Sequence, residues 1–210
     1  MERSEEPTGA RHAPDPMPPP CLDLPLPSFP IMRSPKWPGV STTGSVILPL
    51  SEARCGPVGD RLELDRRPFV PKKELHLTLL SCGEANELGA YLPEESWREA
   101  FEALHWTLYP SRKAVLLQEH KATGIEYSVV TPVDCPSLNA FRQRLSEASG
   151  VHLPSTVPHV TLWTRPTGRG IGISSTDQYQ EFFVRELDPQ MAASFLEGTV
   201  FACMPDADTI

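Results

Sequence analysis

The chain reads as an α+β domain, and three observations predict it. Short strand-like runs alternate with segments of helical period along most of the 210 residues. Two of those runs carry the same phrase, His-x-Thr-Leu, at His76–Leu79 and His159–Leu162. Apolar patterning is missing from the first 42 residues, so one domain is expected over 43–205, with a short tail at 206–210.

The leader comes first. Eleven prolines fall within the first 38 residues, a composition that favours extended, polyproline-like chain over a packed core. A Pro-rich ligand for a partner protein's groove is the sharper reading of this leader, and an inert tail is the commoner outcome for such compositions. Val46–Leu50 is the first expected strand. Residues 51–71 look irregular and polar, with Gly56, Gly59, Pro68 and Pro71. Leu75–Leu80 is a strand with 75, 77 and 79 turned inward. Residues 81–95 read as a connection. Trp97, Phe101 and Leu104 then mark a helix.

Ala114–Glu119 and Ile125–Thr131 read as strands. Pro136–Ser149 is a helix that opens on proline, places Leu138, Phe141 and Leu145 on one face, and stops at Gly150. Val157–Thr164 is the second motif strand, 177–184 a helix, and 198–204 a closing strand. Motif strands and helices thus recur in two similar halves. The order predicts two antiparallel sheets lining a central groove, with helices outside.

Composition limits the function. The net charge is −8, and nearly all of it belongs to the folded region, because the first 38 residues hold four basic and five acidic side chains. An acidic domain is poorly suited to gripping long nucleic acid through many phosphates, but a few local cations suffice for a mono- or dinucleotide. The five cysteines are scattered without a CxxC pair, which fits a reducing cytoplasm and no zinc framework. No secretory signal or membrane-length apolar run is visible. A monomer without cofactor or metal is expected.

The repeated phrase carries the chemistry. Side chains two apart on a strand share a face. His76 and Thr78 therefore look out together, as do His159 and Thr161. By the same alternation Leu80 joins the first pair and Trp163 the second. Two such strands would set two imidazoles and two hydroxyls around one small anion. Imidazole near its ordinary pKa can serve as acid or base at neutral pH. A third copy, His105–Leu108, continues the stripe of the preceding helix and reads as a helix end.

Trp163 is a candidate to stack on a base. Lys72, Lys73, Arg165 and Arg169 flank the motifs and are candidates to draw an anion to the groove mouth, Lys73 and Arg165 foremost. A metal hydrolase built on Glu74, His76 and His159 is a rival, without an HExxH phrase to support it. A noncatalytic nucleotide- or RNA-binding module is another.

These residues resemble the paired HxT motifs of the 2H phosphoesterase superfamily, which includes 2′-5′ RNA ligase-like proteins and 2′,3′-cyclic phosphodiesterases. The phrases are Leu75-His76-Leu77-Thr78-Leu79 and Pro158-His159-Val160-Thr161-Leu162, and the resemblance spans about residues 43–205. It implies a bilobed α+β fold with a pseudo-twofold axis through the groove. It implies His76 and His159 as the catalytic pair, Thr78 and Thr161 as phosphate-binding hydroxyls, and a metal-independent phosphodiesterase acting on small nucleotide or RNA-end substrates. Hydrolysis of cyclic signalling oligonucleotides and reversible 2′-5′ ligation remain open within the family.

Overall fold

The structure is a computed structural model that describes residues 35–54, 62–196 and 199–203. The Pro-rich leader up to residue 34 and the tail at 206–210 lie outside the described residues. The domain is mixed α+β, and no described helix is long and apolar enough to cross a membrane.

One antiparallel sheet organises it, where two separate sheets were expected. Its main path runs β10 (Thr199–Cys203), β1 (Val46–Arg54), β4 (His76–Leu80), β8 (His159–Arg165), β7 (Gly124–Asp134), β6 (Val115–Lys121), β9 (Phe183–Glu186), and the short β5 (Tyr109–Pro110) pairs with β7 off this path. The two motif strands, β4 and β8, are neighbours at its centre, joined through Leu77 and Val160. That single junction fuses what the chain order suggested were two sheets.

The two faces of the sheet have different fates. On one face Leu48, Leu77, Leu79 and Val160 pack into a core beneath three helices. These are α1 (Cys82–Gly89), α2 (Glu94–Glu102) and α3 (Pro136–Ser149). Further along the same face Leu116, Val129 and Trp163 pack under Phe69 and Ala192. Phe69 belongs to β3 (Arg67–Pro71), which forms a hairpin with β2 (Leu62–Leu64). Ala192 lies on α5 (Pro189–Leu196). On the other face Val115, Leu117 and Val130 are covered by Ile171, Ile173 and Tyr179, the last on α4 (Thr176–Phe182). The outward sides of β4 and of the first half of β8 stay half-exposed.

Local sequence explains the helices. In α3, Pro136 takes the first turn and Gly150 closes the helix at φ 73°, a left-handed backbone that glycine adopts without a Cβ clash. Leu138, Phe141 and Leu145 face the core, as their spacing predicts. The helix α1 replaces the expected connection at 81–95. Its signal is a capping box: Ser81 Oγ accepts from the Glu84 backbone N–H, and the Glu84 carboxylate accepts from the Ser81 N–H at 2.8 Å.

Three further expectations change. Residues 51–71 contain the end of β1 and the β2–β3 hairpin, so this stretch is more regular than its polarity suggests. The helix at 177–184 gives way after Phe182 to strand β9. The packed region starts upstream of residue 43, because Trp37 sits edge-on to Phe101 with ring centres 5.3 Å apart. Trp37 Nε1 also donates to the Glu94 carboxylate at 2.9 Å.

A buried ion pair ties the helices to both motif strands. Arg142 on α3 is 6% exposed and Glu84 on α1 is 8% exposed. The guanidinium donates to both Glu84 carboxylate oxygens. It also donates to the Leu79 carbonyl at 3.0 Å and to the Pro154 carbonyl at 2.9 Å. Leu79 lies in the first motif, and Pro154 lies on the approach to the second. Removing Arg142 leaves the Glu84 carboxylate buried without its partner and the Leu79 and Pro154 carbonyls without this donor. Arg142→Ala is expected to lower the unfolding free energy by about 3–5 kcal/mol, read as a fall in the urea midpoint.

Candidate functional site

The site is built where β4 and β8 run side by side in opposite directions. Leu77, the x of the first motif, pairs with Val160, the x of the second. Carrying that antiparallel register one residue each way sets His76 across from Thr161 and Thr78 across from His159. Each imidazole therefore faces the hydroxyl of the other motif, around an approximate twofold axis through the Leu77–Val160 pair. All four side chains point away from the helical core and are partly exposed.

Both motif strands share a second feature. On β4 the pairing with β1 passes from Ile47↔Thr78 to Val46↔Leu80, skipping Leu79. On β8 the pairing with β7 passes from Val130↔Thr161 to Val129↔Trp163, skipping Leu162. The leucine that ends each His-x-Thr-Leu phrase is thus a β-bulge. An extra residue shifts the period by one and sends everything beyond it to the opposite face.

The bulges correct the expected roles of Leu80, Trp163 and Arg165. Leu80 is fully buried in the helical core instead of beside His76. Trp163 is 3% exposed and packs with Tyr127 and Val129, so it does not share the face of His159. Arg165 pairs across from Tyr127 on that same reverse face. Lys73 is exposed in the bend before β4, and Arg169 is exposed beyond β8. The third phrase is not a strand: His105 is exposed after the end of α2, and Trp106 is buried with Nε1 bonded to the Phe101 carbonyl at 3.0 Å.

The cation that borders the motifs is Lys72. Its backbone N–H donates to the bulged Leu162 carbonyl at 2.8 Å, and its ammonium donates to the Gly168 carbonyl at 3.1 Å. Its charge acts on His76. The tether to Gly168 joins the approach to β4 with the loop beyond β8, a link that sequence spacing does not carry. Two residues on, Gly170 approaches Thr161 so closely that a Cβ there would lie 3.2 Å from its Oγ1 and 3.3 Å from its Cγ2.

The histidines are held differently. His159 Nδ1 lies 2.8 Å from the Val157 carbonyl. A carbonyl oxygen only accepts, so Nδ1 carries the proton and a neutral ring keeps its lone pair on Nε2. His76 Nδ1 is buried and has no hydrogen-bond partner among the described residues. A buried N–H without an acceptor is costly, so the neutral ring favours its proton on Nε2. One ring therefore offers a base and the other a donor.

Comparison with known proteins finds no matching family model, no matching curated protein and no matching solved structure. The residues of the site have to speak through their own chemistry.

Burial lowers the pKa of both rings below the ordinary imidazole value of 6.5. For His76 the Glu74 carboxylate opposes the shift, and Lys72 adds to it. For His159 the Val157 carbonyl opposes it, and a charge on His76 adds to it. The second charge is thus harder to place than the first. Among the described residues, no three His, Cys, Asp or Glu side chains gather in an arrangement that would hold a metal ion. What the four motif side chains can do is bind an anion by hydroxyl and imidazole donors and pass protons at its edge.

The lowered pKa values fix a sign. Between the folded values and 6.5 the unfolded chain binds more protons, so stability rises with pH across that window and is lost as pH falls through it. Chemical denaturation at pH 7.5, 6.5 and 5.5 should show this fall, and the His76→Gln/His159→Gln double variant should flatten it. A slope unchanged by the two substitutions would show that other groups set it.

Proposed function

We propose that this chain is a metal-independent phosphodiesterase acting on 2′,3′-cyclic or 2′-5′-linked nucleotide or RNA ends, with the bilobed arrangement and two-histidine chemistry of the 2H phosphoesterases. The observation that carries the reading is the pairing of Leu77 with Val160, which gathers two His-x-Thr phrases into one near-symmetric site. A phosphodiester is the substrate that such a set suits. It is a small anion whose hydrolysis needs one proton taken and one proton given.

The histidine tautomers assign the steps. His159 Nε2 takes a proton from water as the water oxygen attacks phosphorus. The bond from phosphorus to the 2′ or 3′ oxygen breaks, and that oxygen takes a proton from His76. The products are a phosphomonoester and a free hydroxyl. His76 must be protonated at the start although burial disfavours it. The substrate's own negative charge and Glu74 favour the charged ring. Thr78, Thr161 and Lys72 hold the non-bridging oxygens, where charge builds in the transition state. A small substrate suits the acidic chain, and five scattered cysteines without a CxxC pair are in keeping with a reducing, cytoplasmic setting.

A panel of 2′,3′-cyclic mononucleotides, 2′-5′ and 3′-5′ dinucleotides and cyclic oligonucleotides, assayed in EDTA, tests the reading. Turnover of the first two classes is expected to survive chelation. His76→Ala and His159→Ala should each remove it, while Thr78→Ala and Thr161→Ala should cost about ten- to a hundredfold, the loss of one charge-assisted hydrogen bond. Full turnover by either histidine variant would sink the proposal. Binding without turnover by the wild-type chain would make it a noncatalytic module.

The pH dependence has a stated direction. Activity falls at low pH as His159 gains a proton and at high pH as His76 loses one. With both values lowered, kcat/KM should peak on the acid side of 6.5. Gly170→Val should reduce kcat with the melting temperature little changed, because the new side chain presses on the Thr161 hydroxyl.

A further inference from the structure

A cavity of about 520 Å³ opens at the far end of the β7–β8 pair, lined in part by Arg67, Gly124, Tyr127, Arg165 and Thr167. It is not part of the groove between the histidines. Arg165 pairs across from Tyr127, and beyond the Leu162 bulge both stand on the face opposite to His159 and Thr161.

Arg67 is delivered to this cavity by a tied turn. Asp65 and Arg66, between β2 and β3, have left-handed backbones with φ 51° and 62°. Positive φ at both central residues is the geometry that a two-residue hairpin loop favours. Arg185 on β9 ties the turn from outside, its Nη2 donating to both Asp65 carboxylate oxygens at 2.8 and 2.9 Å. Arg67 follows directly. Its Nη1 donates to the Tyr127 hydroxyl at 2.7 Å, and its guanidinium carbon lies 4.9 Å from the centre of the Tyr127 ring. Tyr127 is buried while Arg67 is exposed. The guanidinium is thus positioned against the Tyr127 ring by its hydroxyl bond and is itself exposed.

The charge balance is positive. Glu126 also lines the cavity, but its carboxylate takes the Lys121 ammonium at 2.6 Å. Neither Arg67 nor Arg165 has an acidic partner among the described residues. Two arginines without carboxylates of their own stand out in a chain of net charge −8.

We propose that this cavity is a nucleotide-binding site separate from the histidine groove. Arg165 and the remaining N–H groups of Arg67 take the phosphate, since a guanidinium fork matches its oxygens. The planar base stacks on the exposed Arg67 guanidinium, as bases do on such planes. The volume lies within the range of small-molecule pockets. The proposal stands on Arg67, Tyr127 and Arg165 and is independent of any reaction at His76 and His159.

The test is an NMR titration of the full chain with 5′-AMP, with adenosine and inorganic phosphate as separate arms. AMP should shift the amides of Gly124 and Thr167 saturably. Arg67→Gln and Arg165→Gln should each weaken that binding by about tenfold or more. Arg67→Lys keeps the charge but loses the plane, so it should bring AMP down to the affinity of phosphate alone. Should Arg67→Gln unfold the chain, Arg165→Gln alone decides, because that side chain bonds to no described residue. Shifts confined to residues 76–79 and 159–162, or AMP binding indifferent to both glutamine variants, would overturn the site. Equal affinity for AMP and phosphate would overturn its assignment to a nucleotide.

Discussion

The pairing of Leu77 with Val160 is the contact on which the rest of the site depends. Neither side chain does chemistry. Both are buried, 1% and 0% exposed, in the helical core. Because strands alternate, burying these two residues obliges their neighbours on each side to face outward. Hydrophobic burial on one face of the sheet thereby positions four polar side chains on the other. The force that gathers the histidines is the exclusion of two apolar side chains from water.

The Arg142–Glu84 pair extends this constraint. Two strands joined by one junction are free to shear unless something holds their ends. Arg142 reaches the Leu79 carbonyl of one motif strand and the Pro154 carbonyl on the way into the other. Glu84 orients the guanidinium and also caps α1. A buried ion pair is weak evidence for stability by itself, but it has few alternative geometries, and here each alternative would strand a buried carbonyl. The pair works as a spacer between two strands that the sheet joins through one residue pair.

How legible all this was in the sequence depends on range. Helix α3 was readable because proline, a 3.6-residue stripe and glycine agree within fourteen residues. The His-Thr pairs were readable because alternation over three residues is local. Helix α1 was missed although Ser81 and Glu84 spell its capping box, because the glycines, asparagine and glutamates around them read as a connection. Alternation alone sets Trp163 on the wrong face because a bulge is created by the partner strand, and nothing in His-Val-Thr-Leu-Trp announces which residue β7 will skip. Lys72 reaches across 96 residues to Gly168, and Arg142 reaches 63 residues back to Leu79. Links of that length belong to the fold and leave no local trace. The union of the strands into one sheet was hidden for the same reason.

The bulged leucines have a consequence for how this chain can vary. At Leu79 and Leu162 the residue count, more than the residue type, divides the outward half of the strand from the inward half. Another apolar residue at either place keeps the phase. Deleting either one removes the bulge and leaves the residues on both sides of it on the faces they now hold, because the bulged leucine is the one residue the partner strand does not match. Straightening the bulge at full length is what would turn the strand beyond it inside out. On β8 that would bring Trp163 to the face of His159 and drive Thr164 toward the core. The faces beyond each phrase are therefore held by the skip that β1 and β7 make, and the fourth letter of His-x-Thr-Leu is where the phrase takes its phase from a neighbour.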